Sequence, residues 1–445
     1  MSLRERLIHL NSMRLWLTPG MGVKRHVLVA GVGMVILIGG AIAGLLWLFS
    51  GNRQVLSAPI EAVLVSDSWD RLGSWLSLLV ILAGLATTVV AIQRLNRSLL
   101  SNWTSHPEDA AVVLHRRLLL ARGPRIVAFG GGTGLSNLLR GLRNHTSNLT
   151  GVVTVSDDGG SSGRLRAAFD IPAPGDLTDC LAALSGNEQE LGRLLGYRFH
   201  RGGELEGHTF GNLLITTLAE VEGDFGQALR ALNTLLNLQG AVYPATSEPI
   251  SLVVQKESAA WVAGESQARS VPGPIRSVGL RPEAPESLPE VIQATHEADL
   301  VVLGPGSLFT STLPPLLIPR IRSTLHRVNV PIVYVTNIMT EAGETDGFNT
   351  FDHVEALHVH LGRYPDQVLV NTAIVDELRQ EAYRSEGADV VRHDPEPFSK
   401  VGIRTVELDL LGAGTYAQHD SDRLAEKLIE LSQEGRLHLH PSGAA

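Results

Sequence analysis

The chain has little of several things. It has one cysteine, Cys180, so no internal disulfide can form. That excludes a small stapled scaffold and fits a reducing compartment, or a body that needs no staples. Basic charge is scarce in the larger part: beyond residue 122 there are 25 Lys and Arg against 40 Asp and Glu, a net charge of −15. Sequence-independent binding to nucleic acid needs a basic surface, so no nucleic acid partner is expected. Neither HExxH nor CxxC is present, which removes the commonest zinc patterns. No Gly-Lys-Ser/Thr follows a glycine loop, so a Walker A motif is absent from the sequence. His353, His358 and His360 are the densest histidine group. A helix beginning near Asp352-His353 and ending near Leu361 would put His358 and His360 on different faces, which argues against a shared metal.

What is present divides in two. The first 122 residues carry 12 Lys and Arg against 6 Asp and Glu. They hold two uncharged or nearly uncharged apolar runs, at residues 27–49 and 72–92. Each meets the roughly 20 residues needed to span hydrocarbon as a helix. The first run starts late, is too long for an h-region and lacks a small-x-small cleavage site followed by polar sequence, so it does not read as a signal peptide. A pair of buried core helices is the alternative, but Trp47, Trp69 and Trp75 sit where interface anchors would. Arginines and lysines gather before the first run and after the second, with Arg53 and Arg71 alone between them. By the positive-inside rule both ends face the cytoplasm. The expected layout is a cytoplasmic segment 1–26, a transmembrane hairpin 27–95, a juxtamembrane linker 96–124 with a short helix, an α/β domain 125–436 and a disordered tail 437–445. Residues 2–17 mix leucines and Trp16 with arginines and could lie in the membrane interface.

From Arg125 on, apolar strands alternate with helical patterns. Strands are expected at 125–129, 151–155, 299–303, 331–336 and 368–371. Leu135, Leu138, Leu139 and Leu142 recur at i, i+3, i+4 and i+7, one face of a helix. Further helices are expected near 176–185, 187–196, 211–221, 224–237 and 421–434, the last stopped by Gly435. Residues 250–270 read as a hairpin or meander. Residues 271–289 hold five prolines and two glycines and read as irregular. Alternation of this kind implies an α/β fold with a doubly wound, mostly parallel, Rossmann-like sheet.

Four polar segments carry candidate chemistry. The first strand breaks into Gly130-Gly131-Gly132-Thr133-Gly134, which would present backbone N–H groups and a helix N-terminus to a phosphate. Its third dinucleotide-fingerprint position is Leu135, so the Rossmann pattern is not met strictly. Asp157-Asp158 ends the second strand and runs into Gly159-Gly160-Ser161-Ser162-Gly163-Arg164. One carboxylate could hold Mg²⁺ or a ribose, with Asp157 the metal candidate. The other could cap the turn, and Ser161, Ser162 and Arg164 could meet phosphate oxygens. His208 and Asn212 stand in GHTFGN before a helix, where an N-cap and turn cluster is an equal reading. Gly304, Gly306, Ser307, Thr310 and Ser311 form a second glycine loop at a strand's C-terminal end, where open α/β sheets bind ligands. Asn337 follows another strand end, with Glu341 to Thr345 close behind.

These residues also carry a family resemblance. GGGTGLSNLLRGLR (130–143), VSDDGGSSGRLR (155–166), PGDLTDCLAALS (174–185), GHTFGNLL (207–214), LGPGSLFTSTLPPLL (303–317) and NIMTEAGET (337–345) occur in order. Together they resemble the YvcK-like gluconeogenesis factors, a sister group of the CofD-type 2-phospho-L-lactate transferases. The resemblance implies a Rossmann-like domain, usually dimeric, with its ligand at the segments just named. It implies binding of UDP-sugars, notably UDP-N-acetylglucosamine, and support of cell shape and cell-wall synthesis during gluconeogenic growth, with cell-wall synthesis proteins as partners. No firm catalytic activity defines that branch. The transferase branch uses Mg²⁺ and moves a phospholactyl group from a guanosine diphospho donor to a deazaflavin.

Two features depart from the pattern. Thr178 and Asp179 stand where an Arg-Asn pair is expected, and many relatives lack a membrane hairpin. The leading reading is a membrane-tethered, cytoplasm-facing nucleotide-sugar-binding regulator. The alternative is a Mg²⁺-dependent transferase of the phospholactate type. A nicotinamide oxidoreductase is disfavoured by the imperfect fingerprint.

Overall fold

The computed structural model describes residues 23–51, 63–100, 110–256, 261–271 and 273–439. The chain forms two compact units, Met1–Arg116 and Arg117–Ala445. Residues 2–17 and the side chains of Trp47 and Trp69 lie outside the described set.

The first unit contains two long apolar helices, Val23–Gly51 and Val63–Leu100. Within them Arg25–Leu46 and Trp75–Arg97 have a mean hydropathy of 2.4 and are largely unburied. Both stretches are long and apolar enough to cross a membrane. The helices pack on small residues. A Cβ at Gly84 would stand 2.5 Å from the Leu37 backbone nitrogen, and one at Gly33 would meet the Thr88 hydroxyl. Trp75 is exposed at the start of the second stretch.

Among the described residues, the second unit is built on ten strands: β1 (Ile126–Gly130), β2 (Leu149–Val153), β3 (Ala241–Pro244), β4 (Ser251–Lys256), β5 (Trp261–Ala263), β6 (Ile275–Arg281), β7 (Leu300–Leu303), β8 (Ile332–Val335), β9 (Gln367–Asn371) and β10 (Arg404–Leu408). Seven form a sheet in the order β10-β9-β8-β7-β1-β2-β3, every pairing parallel. Strands of a parallel sheet are covered on both faces, so they read as continuous apolar runs. IVAFG, LVVL and IVYV do so, and every residue in them is buried. The predicted helix face holds: Leu135, Leu138, Leu139 and Leu142 are fully buried on the helix Gly132–Leu142. Each such leucine contributes about 1.5–3 kcal/mol of transfer free energy.

β4, β5 and β6 form a separate antiparallel sheet. The expected irregular stretch 271–289 therefore contains a strand. β6 pairs with β4 through a register shift at Gln255 and Lys256, and its prolines fall outside the paired residues. The meander expected at 250–270 is two strands followed by a short helix, Glu265–Ser270. β3 and β10, the two sheet edges, had no clear apolar run and were not anticipated. The last helix, Ser421–Leu439, passes through Gly435 instead of stopping there. That glycine lies within the helix where any Cβ would stand 2.7 Å from the Pro331 ring, so it serves close approach and not termination.

Chain order runs outward from the centre of the large sheet in both directions. β1, β2 and β3 go one way, and β7 to β10 go the other. The strand order reverses between β1 and β7, and the crevice beyond their C-terminal ends is where such sheets bind ligands.

Candidate functional site

Both glycine loops leave the sheet at that crevice. Gly130–Gly134 follows β1, and Gly304–Ser307 follows β7. They touch directly: a Cβ on Gly134 would lie 2.3 Å from the Pro305 carbonyl oxygen. Only glycine allows the backbones so close. The helix after β1 has Gly131 as its N-cap, with no side chain capping it. Its first amides thus lack partners inside the helix.

A cleft of about 460 Å³ opens here. It is lined by Gly131, Gly132, Thr133, Gly134, Gly306, Ser307, Thr310 and Ser311 from the two loops, with Thr154, Asp157, Asp176, Glu265 and Glu341. A smaller adjoining chamber of about 180 Å³ shares Thr133, Gly134, Gly306 and Glu341 with it. Asn137, Pro305, Asn337, Ile338, Met339, Thr340, Tyr383, Ala417, Gln418 and His419 complete that chamber.

The carboxylates differ in how they are held. Asp157 Oδ1 accepts the Gly159 N–H at 2.8 Å, forming a local turn that leaves Asp157 on the cleft wall. Asp158 instead accepts from the Ser266 N–H at 3.0 Å and the Ser266 hydroxyl at 2.8 Å. It ties the turn to the small-sheet region and does not line the cleft. Asp176 accepts from the Gly132 amide, at the helix N-terminus. Burial, then Asp157, Glu265 and Asp179, push its carboxyl up to about 7. Any Cβ at Gly131 would lie 2.4 Å from its Oδ2. Glu341 is fixed between the two chambers: the Ser307 hydroxyl donates to its Oε2, and Asn337 Nδ2 donates to its Oε1 at 3.2 Å. Thr310 donates to Glu344 at 3.4 Å.

Ser161, Ser162, Arg164, His208 and Asn212 lie outside the cleft lining and are hydrogen-bonded within the fold, although the buried Asn212 Oδ1 has no partner. Asn212 Nδ2 donates to the Ser161 and Ser162 hydroxyls at 3.1 and 3.4 Å. Ser161 shares a 2.9 Å hydrogen bond with His208 Nδ1. Burial first, then Arg164 and Arg198, hold His208 below its usual range. Arg164 donates to the Glu206 carbonyl at 3.0 Å. Thr209 caps the helix Phe210–Glu222 by accepting the Asn212 N–H. None of Ser161, Ser162, Arg164, His208 or Asn212 lines either chamber. The contact with the site is indirect: a Cβ at Gly175 would meet Ser162 Oγ at 2.5 Å and Asp157 Oδ2 at 3.8 Å.

Thr178 and Asp179 also stay out of the lining. Thr178 donates to the Gly175 carbonyl at 2.7 Å, and burial raises the Asp179 carboxyl while Arg140 lowers it. His360 is used within the fold, accepting the Val278 N–H at 3.0 Å, while His358 stacks on Tyr364. Among the described residues no three His, Cys, Asp or Glu side chains form a metal centre. Sequence reasoning passed over Asp176, Glu265, Glu341 and Thr154 as site residues. Asp176 and Glu341 do stand in the motifs GDLTD and NIMTEAGET, but nothing in the local pattern marks Glu265.

A parallel sheet with two glycine loops at its switch point and a polar cleft between them defines a Rossmann-like α/β protein. Residues 126–411 match the family model of the 2-phospho-L-lactate transferase CofD. The chain is 44% identical over 424 residues to a protein of Deinococcus radiodurans named "Putative gluconeogenesis factor", covering 94% of this chain and 89% of that one. It is 40% identical to the gluconeogenesis factor of Bacillus subtilis, across 71% of this chain and 100% of that one. A crystal structure of a UPF0052 family member from Bacillus halodurans superposes with a TM-score of 0.66 at 38% identity, covering 68% of this chain and 98% of that one. The chain belongs to the gluconeogenesis factor family and carries a CofD-like domain.

Proposed function

We propose that this chain is a membrane-tethered regulator that binds a nucleotide-sugar, of the UDP-sugar class, in the cleft between its glycine loops. In this reading residues 27–95 hold the domain at the inner face of the membrane, and ligand occupancy supports cell-wall synthesis and cell shape during gluconeogenic growth. One observation carries it: the loops after β1 and β7 meet at the strand-order reversal and open a cleft with two chambers. Backbone amides at a helix N-terminus suit a diphosphate.

The cleft wall is acidic, and phosphate would be repelled without a cation. Mg²⁺ fits that donor set, since it is usually held by one or two carboxylates with phosphate oxygens and water completing its shell. Asp157 and Asp176 would hold it, and it would neutralise the diphosphate. The Gly131–Gly134 segment would seat the phosphates, and Ser307, Thr310 and Ser311 would donate hydroxyl hydrogen bonds to the ligand.

Calorimetry on the full chain in detergent tests this. UDP-N-acetylglucosamine should bind with 1:1 stoichiometry, and more tightly with Mg²⁺. Absence of binding to every UDP-sugar tried would remove the proposal.

Asp176 favours a second reading. A carboxyl poised near 7 suits a general base. In a transferase of the phospholactate type it would take the proton from an acceptor hydroxyl as that oxygen forms a bond to phosphorus and the nucleoside monophosphate leaves. Phosphodiester formation from a guanosine diphospho donor and a deazaflavin with Mg²⁺ is the measurement, and no turnover would dismiss it.

A further inference from the structure

Away from the cleft, the helix Ala110–Ala121 (AAVVLHRRLLLA) presents an apolar surface that the described residues do not cover. Its C-terminal end is fixed at the start of the domain. Leu120 is buried, and its carbonyl accepts the Ser147 N–H at 3.0 Å. Asn148 Nδ2 donates to the Ala121 and Gly123 carbonyls at 3.0 and 2.8 Å. The side chains of Val112, Leu114, Leu118 and Leu119 stay outside, each more than half exposed.

These four share one side of the helix. At about 100° per residue, Leu114 and Leu118 stand one above the other, with Val112 and Leu119 on the neighbouring rows. His115 falls inside the stripe, and Arg116 and Arg117 fall at its two edges. Residues 110–122 hold three arginines and no Asp or Glu, whereas the chain beyond carries a net charge of −15. Glu108 and Asp109 precede the helix in sequence, at the end where its dipole favours acid.

A contiguous exposed apolar stripe marks an interaction surface. Charge and position choose its occupant. A second copy seated on the stripe would bring like arginines together, whereas anionic lipid headgroups would neutralise them. Residues 98–109 separate the helix from the end of the second apolar stretch at Arg97. About a dozen residues extend at most ~40 Å, which keeps the helix within reach of the bilayer surface.

We propose that the helix Ala110–Ala121 lies in the interface of the membrane that residues 27–95 span. Val112, Leu114, Leu118 and Leu119 enter the boundary between headgroups and acyl chains, and Arg117 and Arg122 meet lipid phosphates. An interfacial helix buries its apolar face by about 5–10 Å. The hairpin then holds the chain in the bilayer, and this helix holds the start of the domain at its surface. This rests on the membrane-tether reading above.

The full chain at one copy per nanodisc tests this. The discs contain phosphatidylcholine and phosphatidylglycerol, with a nitroxide on the upper part of the acyl chain. A bimane is attached at Leu114→Cys, Leu118→Cys, Leu79→Cys in the second apolar stretch, or Leu378→Cys on the exposed surface of the domain, each with Cys180→Ser. The Leu79, Leu114 and Leu118 labels should be quenched by the lipid nitroxide and shielded from aqueous iodide, and the Leu378 label should behave in the opposite way. Adding Arg117→Gln and Arg122→Gln should lower nitroxide quenching at Leu118 and leave it unchanged at Leu79. Iodide access at Leu114 and Leu118, with Leu79 still quenched by lipid, overturns this inference alone. Shielding from iodide without nitroxide quenching shows that protein covers the stripe, and overturns it too. Unchanged Leu118 quenching in the arginine variant overturns the phosphate contacts. If Leu79 is not quenched by lipid, the membrane reading itself fails, and this inference goes with it.

Discussion

Two polar neighbourhoods of the domain look alike in sequence and differ in use. Gly130–Gly134 and Gly304–Ser311 open onto a cleft. Ser161, Ser162, Arg164, His208 and Asn212 close on one another just behind it. Both are rich in glycine, hydroxyls and amides, and both precede helices. The difference is where the hydrogen bonds go. In the second group most donors and acceptors are spent within the protein, which fixes two helices against each other. In the first, packing brings backbones together and leaves polar groups on a cavity wall. A polar motif marks a ligand site only when the fold leaves its groups unspent.

The sharpest way to break the comparison is at the loop contact. Gly134→Ala places a methyl 2.3 Å from the Pro305 carbonyl, so one loop must move. Overpacking of this kind costs about 1–3 kcal/mol. Thermal denaturation should show it, and ligand affinity should fall at least tenfold. A variant with normal affinity would show that the loops need not meet.

Asp176→Asn probes the same wall with a pH signature. In the unfolded chain this carboxyl titrates near 3.8, and in the folded protein near 7. The folded state keeps its proton longer, so stability falls as pH rises from about 4 to about 7 and then levels. The amide removes that penalty. The variant should be more stable than wild type at pH 8, by roughly 2 kcal/mol once the solvent-facing edge is allowed for, and little different at pH 4. Equal effects at both pH values would place Asp176 in a purely structural role. A gain in stability with a loss of Mg²⁺-dependent binding is the pattern of a residue kept for function.

Behind the cleft the expectation reverses. Asn212→Ala leaves the buried Ser161 and Ser162 hydroxyls without that donor, at a cost of about 1–3 kcal/mol. Affinity measured on the folded fraction should change less than threefold. Thr209→Ala removes an N-cap, worth about 1 kcal/mol, with no change in affinity. A large loss of binding in either variant would move the network into the site.

Much of this was legible beforehand. Continuous apolar runs gave the central strands, because a parallel sheet buries both faces. The spacing of Leu135, Leu138, Leu139 and Leu142 gave the helix behind the first loop. β6 was hidden among prolines that fall outside its pairing with β4. Gly435 was read as a stop because termination and close approach use the same residue. The two glycine loops were legible as loops at strand ends, and the structure brings them together at one cleft. Asp176, Glu265 and Glu341 were not assigned, because they reach the cleft from elements distant in sequence. Only tertiary packing converts their ordinary local patterns into a shared wall.

The most direct measurement is a paired titration of Gly134→Ala and Asn212→Ala with UDP-N-acetylglucosamine, by calorimetry with Mg²⁺ present. The account predicts that the Gly134 variant loses binding and the Asn212 variant, though less stable, keeps it. Equal affinities in the two, or loss confined to the Asn212 variant, would contradict the division between cleft wall and supporting network.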